Sequence, residues 1–281
     1  MNLKNANYKG ANGRNSLIDL EIPEKFNGEI IIFIHGFMGF KDWGAWNLVQ
    51  DFFVQRKYGF CKFNTSHNGG TADNGIDFPD PESFGNNTYS KEIEDFKLVV
   101  QWLNDKVNQW NGHVIGHSKG GAIALIGGTQ IEEISSISTW ASISSIGERF
   151  PKGQLLEEWK KKGVRFVKNG RTYQELPQKI ELFQDFLNHA DDYDLQKICS
   201  QNEKPIFIAH GENDTSVEIN NGKRLAEWAN VKLCVIKNTD HVFGSKHPWE
   251  SLKMSNSLYT LCKWTELFIS KNELWNDTPT F

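Results

Sequence analysis

Residues 112–121 read GHVIGHSKGG, and within them Gly116-His117-Ser118-Lys119-Gly120 has the spacing G-x-S-x-G. An apolar run precedes the motif, and the small or apolar residues Gly121, Ala122, Ile123, Ala124 and Leu125 follow it. In that context the spacing predicts a strand-to-helix turn sharp enough to hold the Ser118 hydroxyl clear of a sheet edge. Glycines stand two positions either side because bulkier residues would clash there. A hydroxyl is a weak nucleophile until a base takes its proton and a third group orients that base.

Both partners lie downstream in the order Ser…Asp…His that such a turn calls for. The apolar run PIFIA ends at Ala209 and is followed by His210-Gly211-Glu212-Asn213-Asp214-Thr215-Ser216-Val217, which puts Asp214 on a loop at a strand's C-terminal end. The run at 231–236 is followed by Asn238-Thr239-Asp240-His241. Glu212 and Asp240 are the competing carboxylates, and His247 the competing base. Adjacent residues such as Asp240 and His241 seldom orient one another. His35, His117 and His210 sit at strand ends, where a ring more often packs or bonds locally than transfers protons, and His113 and His189 carry no functional signal. The oxyanion that forms during acyl transfer needs donors. The backbone N–H of Lys119 is one, and the N–H of Phe37, in the loop His35-Gly36-Phe37-Met38-Gly39, is the other.

The elements that would carry these residues alternate. Strands are expected at 16–22, 29–35, 59–64, 112–117, 134–143, 205–209 and 231–236, separated by stretches of helical period. That alternation marks a mostly parallel sheet with helices on both faces. Ser90 reads as an N-cap, followed by Glu92, Glu94 and Asp95 in the first turn and by an apolar face of Ile93, Phe96, Val100, Leu103 and Val107. Leu258, Leu261, Trp264 and Phe268 form a second stripe near the C-terminus. Residues 148–200 interrupt the alternation with no strand and two helical patterns. One covers 154–162, and the other starts after Pro177 with Ile180, Phe183 and Leu187 on one face. So long an excursion is expected to be a small helical cap inserted in a single domain of residues 1–281. The loop Trp43–Trp46, the polar residues around His67, and Trp159, Phe183 and Phe186 of the cap are the candidates for contacting substrate.

HGFMG, GHSKGG, HGENDTSV and NTDHVF together resemble the α/β-hydrolase superfamily. More narrowly they are similar to its esterase and dienelactone-hydrolase-like branch, which includes cinnamoyl (feruloyl) esterases and serine aminopeptidase-like hydrolases. The resemblance spans roughly residues 16–270. It implies an α/β-hydrolase fold, an eight-stranded, mainly parallel sheet with Ser118, Asp214 and His241 as triad. One departure is Lys119, where such hydrolases more often carry Gln, Met or an aromatic.

The activity implied is a serine carboxylic ester hydrolase working through an acyl-enzyme on a small or aryl ester. The same triad would serve amide or peptide hydrolysis. Haloalkane or epoxide opening needs a carboxylate at position 118. A binding protein on a degenerate hydrolase fold usually lacks a triad member or a flanking glycine, and here all are present. A net charge of −4 gives no electrostatic case for nucleic acid or an anionic membrane surface. No nucleotide loop or metal-ligand spacing occurs, so no cofactor and no metal are expected. Cys61, Cys199, Cys234 and Cys262 are scattered and read as reduced thiols, and the N-terminus has no apolar signal core, so a cytoplasmic location is expected.

Overall fold

The computed structural model describes residues 1–271, and residues 272–281 of the expected 1–281 unit lie outside them. The strands in chain order are β1 (Asn2–Lys9), β2 (Asn15–Glu21), β3 (Glu29–Ile34), β4 (Gly59–Phe63), β5 (Asn111–His117), β6 (Ile134–Trp140), β7 (Val164–Lys168), β8 (Glu175–Lys179), β9 (Ile206–Gly211) and β10 (Leu233–Ile236). The helices are α1 (Trp46–Val54), α2 (Pro81–Gly85), α3 (Tyr89–Asn104), α4 (Lys119–Gln130), α5 (Gln154–Lys162), α6 (Glu181–Asn188), α7 (Leu195–Gln201), α8 (Asn220–Trp228) and α9 (Asn256–Lys271).

Eight strands form one sheet in the order β1-β2-β4-β3-β5-β6-β9-β10. Strand β2 runs antiparallel to both its neighbours, and the pairings from β4 to β10 are all parallel. The run EIIIFI makes β3 a central strand, and alternation of its side chains divides the core in two. Ile30, Ile32 and Ile34 face a layer formed by α3, α4, α7 and α8. Ile31 and Phe33 face α1 and α9 together with Ile115 and Trp140. Parallel pairing brings the C-terminal ends of β3, β5, β6, β9 and β10 to one edge, and the loops after β3, β5, β9 and β10 carry Phe37, Ser118, Asp214 and His241.

Three expectations change. The N-terminal residues form β1, an edge strand whose only fully buried side chain is Tyr8, so its sequence carries little apolar alternation. The N-cap of α3 is Thr88, which accepts from the Lys91 N–H, while Ser90 lies inside the helix and binds Asp185 and Tyr193. The excursion between β6 and β9 is not purely helical, because β7 and β8 pair as an antiparallel hairpin. Pro177 sits within β8, and the following helix starts only at Glu181. The hairpin turn holds Asn169-Gly170, with the Asn169 side chain accepting from the Arg171 and Thr172 N–H groups at 2.8 and 3.2 Å. Burial explains the misreading: β7 is nowhere fully buried, so its VRFVK run has no face apolar enough to stand out.

Phe96 on α3 has no exposed surface and packs where α4 has Gly127. Phe96→Ala is therefore expected to cost about 3–5 kcal/mol of unfolding free energy. Urea denaturation checks this, and a loss below about 1 kcal/mol would remove α3 from the principal core.

Candidate active site

Ser118 joins β5 to α4 with φ 57° and ψ −121°, a backbone conformation that a non-glycine residue holds only when its surroundings fix it. Its N–H donates to the Trp140 carbonyl at 2.9 Å, and its own carbonyl accepts from the Gly121 N–H at 3.0 Å. A Cβ on Gly116 would stand 2.2 Å from the Gly120 carbonyl oxygen, and one on Gly120 would stand 2.4 Å from that of Ile34. Neither position admits a side chain.

Lys119 is the first residue of α4, where a backbone N–H has no acceptor within its helix. Phe37 lies in the loop after β3, which a Gly39 N–H to Gly36 carbonyl bond of 3.0 Å closes into a turn with Met38 left-handed at φ 54°. His35 fastens that loop to its neighbour. Its Nδ1–H donates to the Gly36 carbonyl at 2.9 Å, and its Nε2 accepts from the Thr65 N–H at 3.1 Å. Acceptance at Nε2 needs neutral imidazole, in line with the burial that pushes its pKa down to about 4.

The structure brings Asp214 and His241 together. Asp214 Oδ2 accepts from His241 Nδ1 at 2.7 Å, and Oδ1 accepts from the Ser216 and Val217 N–H groups, each at 2.9 Å. His210 Nε2 lies 3.3 Å from Oδ2 and 2.8 Å from the Val217 carbonyl, so one N–H serves both. Burial would raise the Asp214 pKa. The hydrogen bonds from His210 and His241 outweigh it and hold the carboxyl well below the usual carboxylate range. His117, buried and pushed down to about 3, donates from Nε2 to the His241 carbonyl at 2.9 Å and so steadies the loop carrying that ring.

The competitors are engaged elsewhere. Glu212 accepts from the Asn238 N–H, Asp240 accepts from the Val242 and Gly244 N–H groups, and His247 accepts from the Gly44 N–H.

Ser118 borders two cavities. The larger, about 400 Å³, is also lined by His241, Trp43, Trp46, Phe37 and Met38. The smaller, about 140 Å³, opens toward the excursion, whose Arg149, Phe150, Arg165, Val167, Gln178 and Leu182 line it. Phe37, 42% exposed, stands between the two. The Lys119 ammonium is bonded to the carboxylate of Glu92, which is buried on α3 and also bound by the Asn87 amide.

Of the expected substrate contacts, Trp43 lines the larger cavity, but three others lie elsewhere. His67 is buried against the Ser66 hydroxyl at 2.8 Å. Trp159 is buried beside Phe150 and donates from Nε1 to the Gln178 carbonyl at 2.9 Å. Phe183 joins that aromatic cluster, because the pitch of α6 turns Leu182, not Phe183, toward Ser118. The contributions of Glu92, Arg149, Arg165, Leu182 and His210 were missed; only the HGxxDxxV stretch around His210 held a sequence signal. Among the described residues there is no group of three or more His, Cys, Asp or Glu placed to hold a metal ion, and no helix long and apolar enough to cross a membrane. The four cysteines are buried, free thiols.

Residues 18–229 match the model of the BD-FAE family. No curated protein matches the chain. Among solved structures, Est1E from Butyrivibrio proteoclasticus with bound ferulic acid aligns with a TM-score of 0.69 at 17% identity, over 95% of this chain and 99% of that one. The α/β-hydrolase domain-containing protein 10 from mouse gives 0.69 at 18%, over 95% and 99%. An esterase from Pyrococcus furiosus gives 0.64 at 16%, over 97% and 91%. Likeness at these identities establishes the fold.

Buried imidazoles give the site's surroundings a pH signature. His35 and His67 are pushed to about 4 and His117 to about 3, in each case first by burial. An unfolded chain protonates these rings below about pH 6.5, so between there and about pH 4 it binds more protons than the folded chain, and stability falls with acid. Asp95 opposes this, since burial raises its carboxyl to about 7 and the folded state keeps that proton. With three rings against one carboxyl, unfolding free energy is expected to rise with pH from 4 to 6.5. His67→Gln should flatten the slope near pH 5 by up to about 1.4 kcal/mol per unit. Denaturant titrations across that range decide it, and an unaltered slope would mean that His67 protonates in the fold.

Proposed function

The chain belongs to the BD-FAE family of α/β-hydrolases, and on that premise we propose that it hydrolyses carboxylic esters through an acyl-enzyme formed on Ser118. The observation that supports the reading best is the 2.7 Å bond from His241 Nδ1 to the ionised Asp214, with His241 lining the same cavity as Ser118. That bond leaves Nε2 as the basic nitrogen of the neutral ring.

In the first half-reaction the Ser118 hydroxyl attacks the ester carbonyl carbon while His241 Nε2 takes its proton. The carbonyl oxygen becomes an oxyanion, which the N–H groups of Phe37 and Lys119 receive. Collapse breaks the bond to the alcohol oxygen, which leaves with the proton from His241. In the second half-reaction water gives a proton to His241 and its oxygen to the acyl carbon. The acid departs, and Ser118 regains its proton. Asp214 stays ionised throughout and stabilises the imidazolium. Esters are favoured as substrates because a domain of a Rhodothermus marinus protein and the Pyrococcus protein, both similar in fold, are described as esterases. The excursion between β6 and β9 acts as a cap, since it supplies one wall of the smaller cavity at Ser118.

Ser118→Ala should lower kcat by about 10⁴–10⁶ and abolish fluorophosphonate labelling. A variant keeping a tenth of the activity would place the nucleophile elsewhere. Leu182→Ala should shift the kcat/KM ranking of acyl chain lengths by about 1–3 kcal/mol, read from a panel of straight-chain esters. An unchanged ranking would sink the cap as a specificity element.

A further inference from the structure

The smaller cavity at Ser118 is cationic without a carboxylate of its own. Arg165, half-buried on β7, is held in place: its Nε and Nη2 donate to Gln178 Oε1 at 2.9 and 2.6 Å, and its guanidinium lies 4.4 Å from the centre of the Trp159 ring. Arg149 enters from the loop after β6. Among the described residues no carboxylate forms an ion pair with either arginine. The acids that could answer them are committed, Glu148 to Arg224 through both oxygens at 2.7 and 2.8 Å and Glu92 to Lys119. The surrounding segment is also basic, with nine Lys or Arg against four Asp or Glu between residues 148 and 180, in a chain whose net charge is −4. Burying part of a guanidinium beside only neutral partners is unfavourable, and a carboxylate bound across its fork would relieve that.

Reaction geometry assigns the cavity to one half of the ester. The departing alcohol oxygen must reach His241, which lines the larger cavity and not the smaller. The acyl chain therefore extends from Ser118 toward Arg149 and Arg165. Resting on the acyl-enzyme reading above, we infer that the preferred substrates are monoesters of dicarboxylic acids, with the free acyl carboxylate bound by Arg165 and Arg149.

The test compares 4-methylumbelliferyl hexanoate with the 4-methylumbelliferyl monoester of adipic acid, which share a leaving group and differ in acyl charge. Wild-type protein should favour the adipate ester in kcat/KM. In Arg149→Gln/Arg165→Gln the adipate-to-hexanoate ratio should fall roughly tenfold or more, as expected for loss of charge-assisted hydrogen bonds. Because both esters report on the same folded molecules, the ratio survives any loss of protein to misfolding. The hexanoyl ester of 4-hydroxybenzoate carries its charge on the alcohol and should not share this arginine dependence. A wild-type preference for hexanoate, a ratio that stays within about threefold in the double variant, or an equal arginine effect on the 4-hydroxybenzoate ester would each overturn the inference. Fluorophosphonate capture separates it from the mechanism. Capture at Ser118 with an unmoved ratio sinks only the anion-binding cavity, whereas a shifted ratio with an unlabelled Ser118 and an active Ser118→Ala sinks only the acyl-enzyme.

Discussion

The turn at Ser118 requires the backbone of α4 to begin almost in contact with the ends of β3 and β5, and much of the molecule follows from that closeness. The Gly120 oxygen and the Ile34 oxygen occupy the space where side chains on Gly116 and Gly120 would be. Such an approach is tolerable only where the strands are fixed, so the turn sits on β5, between β3 and β6, with covering layers on both faces. The positive φ of Ser118 costs of order 1–3 kcal/mol, offset by the surrounding core. In exchange the hydroxyl is held at the strand ends beside the first free N–H of a helix, where an oxyanion would form.

A second constraint is charge. Asp214 has no exposed side-chain surface, and a buried carboxylate is unstable unless hydrogen bonds replace its lost water. Four groups do so: two backbone N–H groups of its own loop, His210 and His241. His210 itself has no exposed surface, so its N–H is a fixed part of the fold and not a mobile reagent. Removing the charge would leave these donors facing a weaker acceptor and free the His241 ring to turn. The same loop thus secures both its own conformation and the tautomer of the His241 ring.

The parts legible in the sequence are those where local spacing and the final environment agree. The run at 29–34 is continuous because β3 is covered on both sides, and the glycine at 116 is legible because a Cβ there would meet the Gly120 backbone four residues on, whereas the glycine at 120 answers to the Ile34 carbonyl of β3. Asp214 and His241 could be proposed because parallel topology sends successive loops to one edge. The failures are of another kind. Strand β1 is an exposed edge with one fully buried side chain, so it leaves no alternation to read. The β7–β8 hairpin left no such mark, because its strands are joined by the six residues 169–174 and not by a tight two-residue turn, and the residues around it are basic and polar. Trp159 and Phe183 were assigned to the substrate because aromatic content does not report direction. The orientation of α6 selects Leu182, and that orientation depends on the contacts of Phe183 and Phe186 with Phe150, far earlier in sequence.

Lys119 stands where the tight turn and the charge balance meet. In the proposed acyl-enzyme route the position after Ser118 would act through its backbone N–H, which leaves the side chain free to vary provided it does not disturb charge development nearby. A bare ammonium there would attract any anion to the serine itself. Glu92, buried on α3 and bonded also to Asn87, cancels that charge where it arises. Position 119 therefore presents to the smaller cavity an aliphatic stem ending in a neutralised pair, packed near the Phe37 ring at 5.5 Å. The uncompensated positive charge begins one layer further out, at Arg149 and Arg165 on the excursion. Under the proposed route that separation would place an attraction for anions at the far end of the acyl path rather than at the reacting carbon. A substrate carboxylate drawn there would hold the chain extended, with its ester carbonyl left at Ser118.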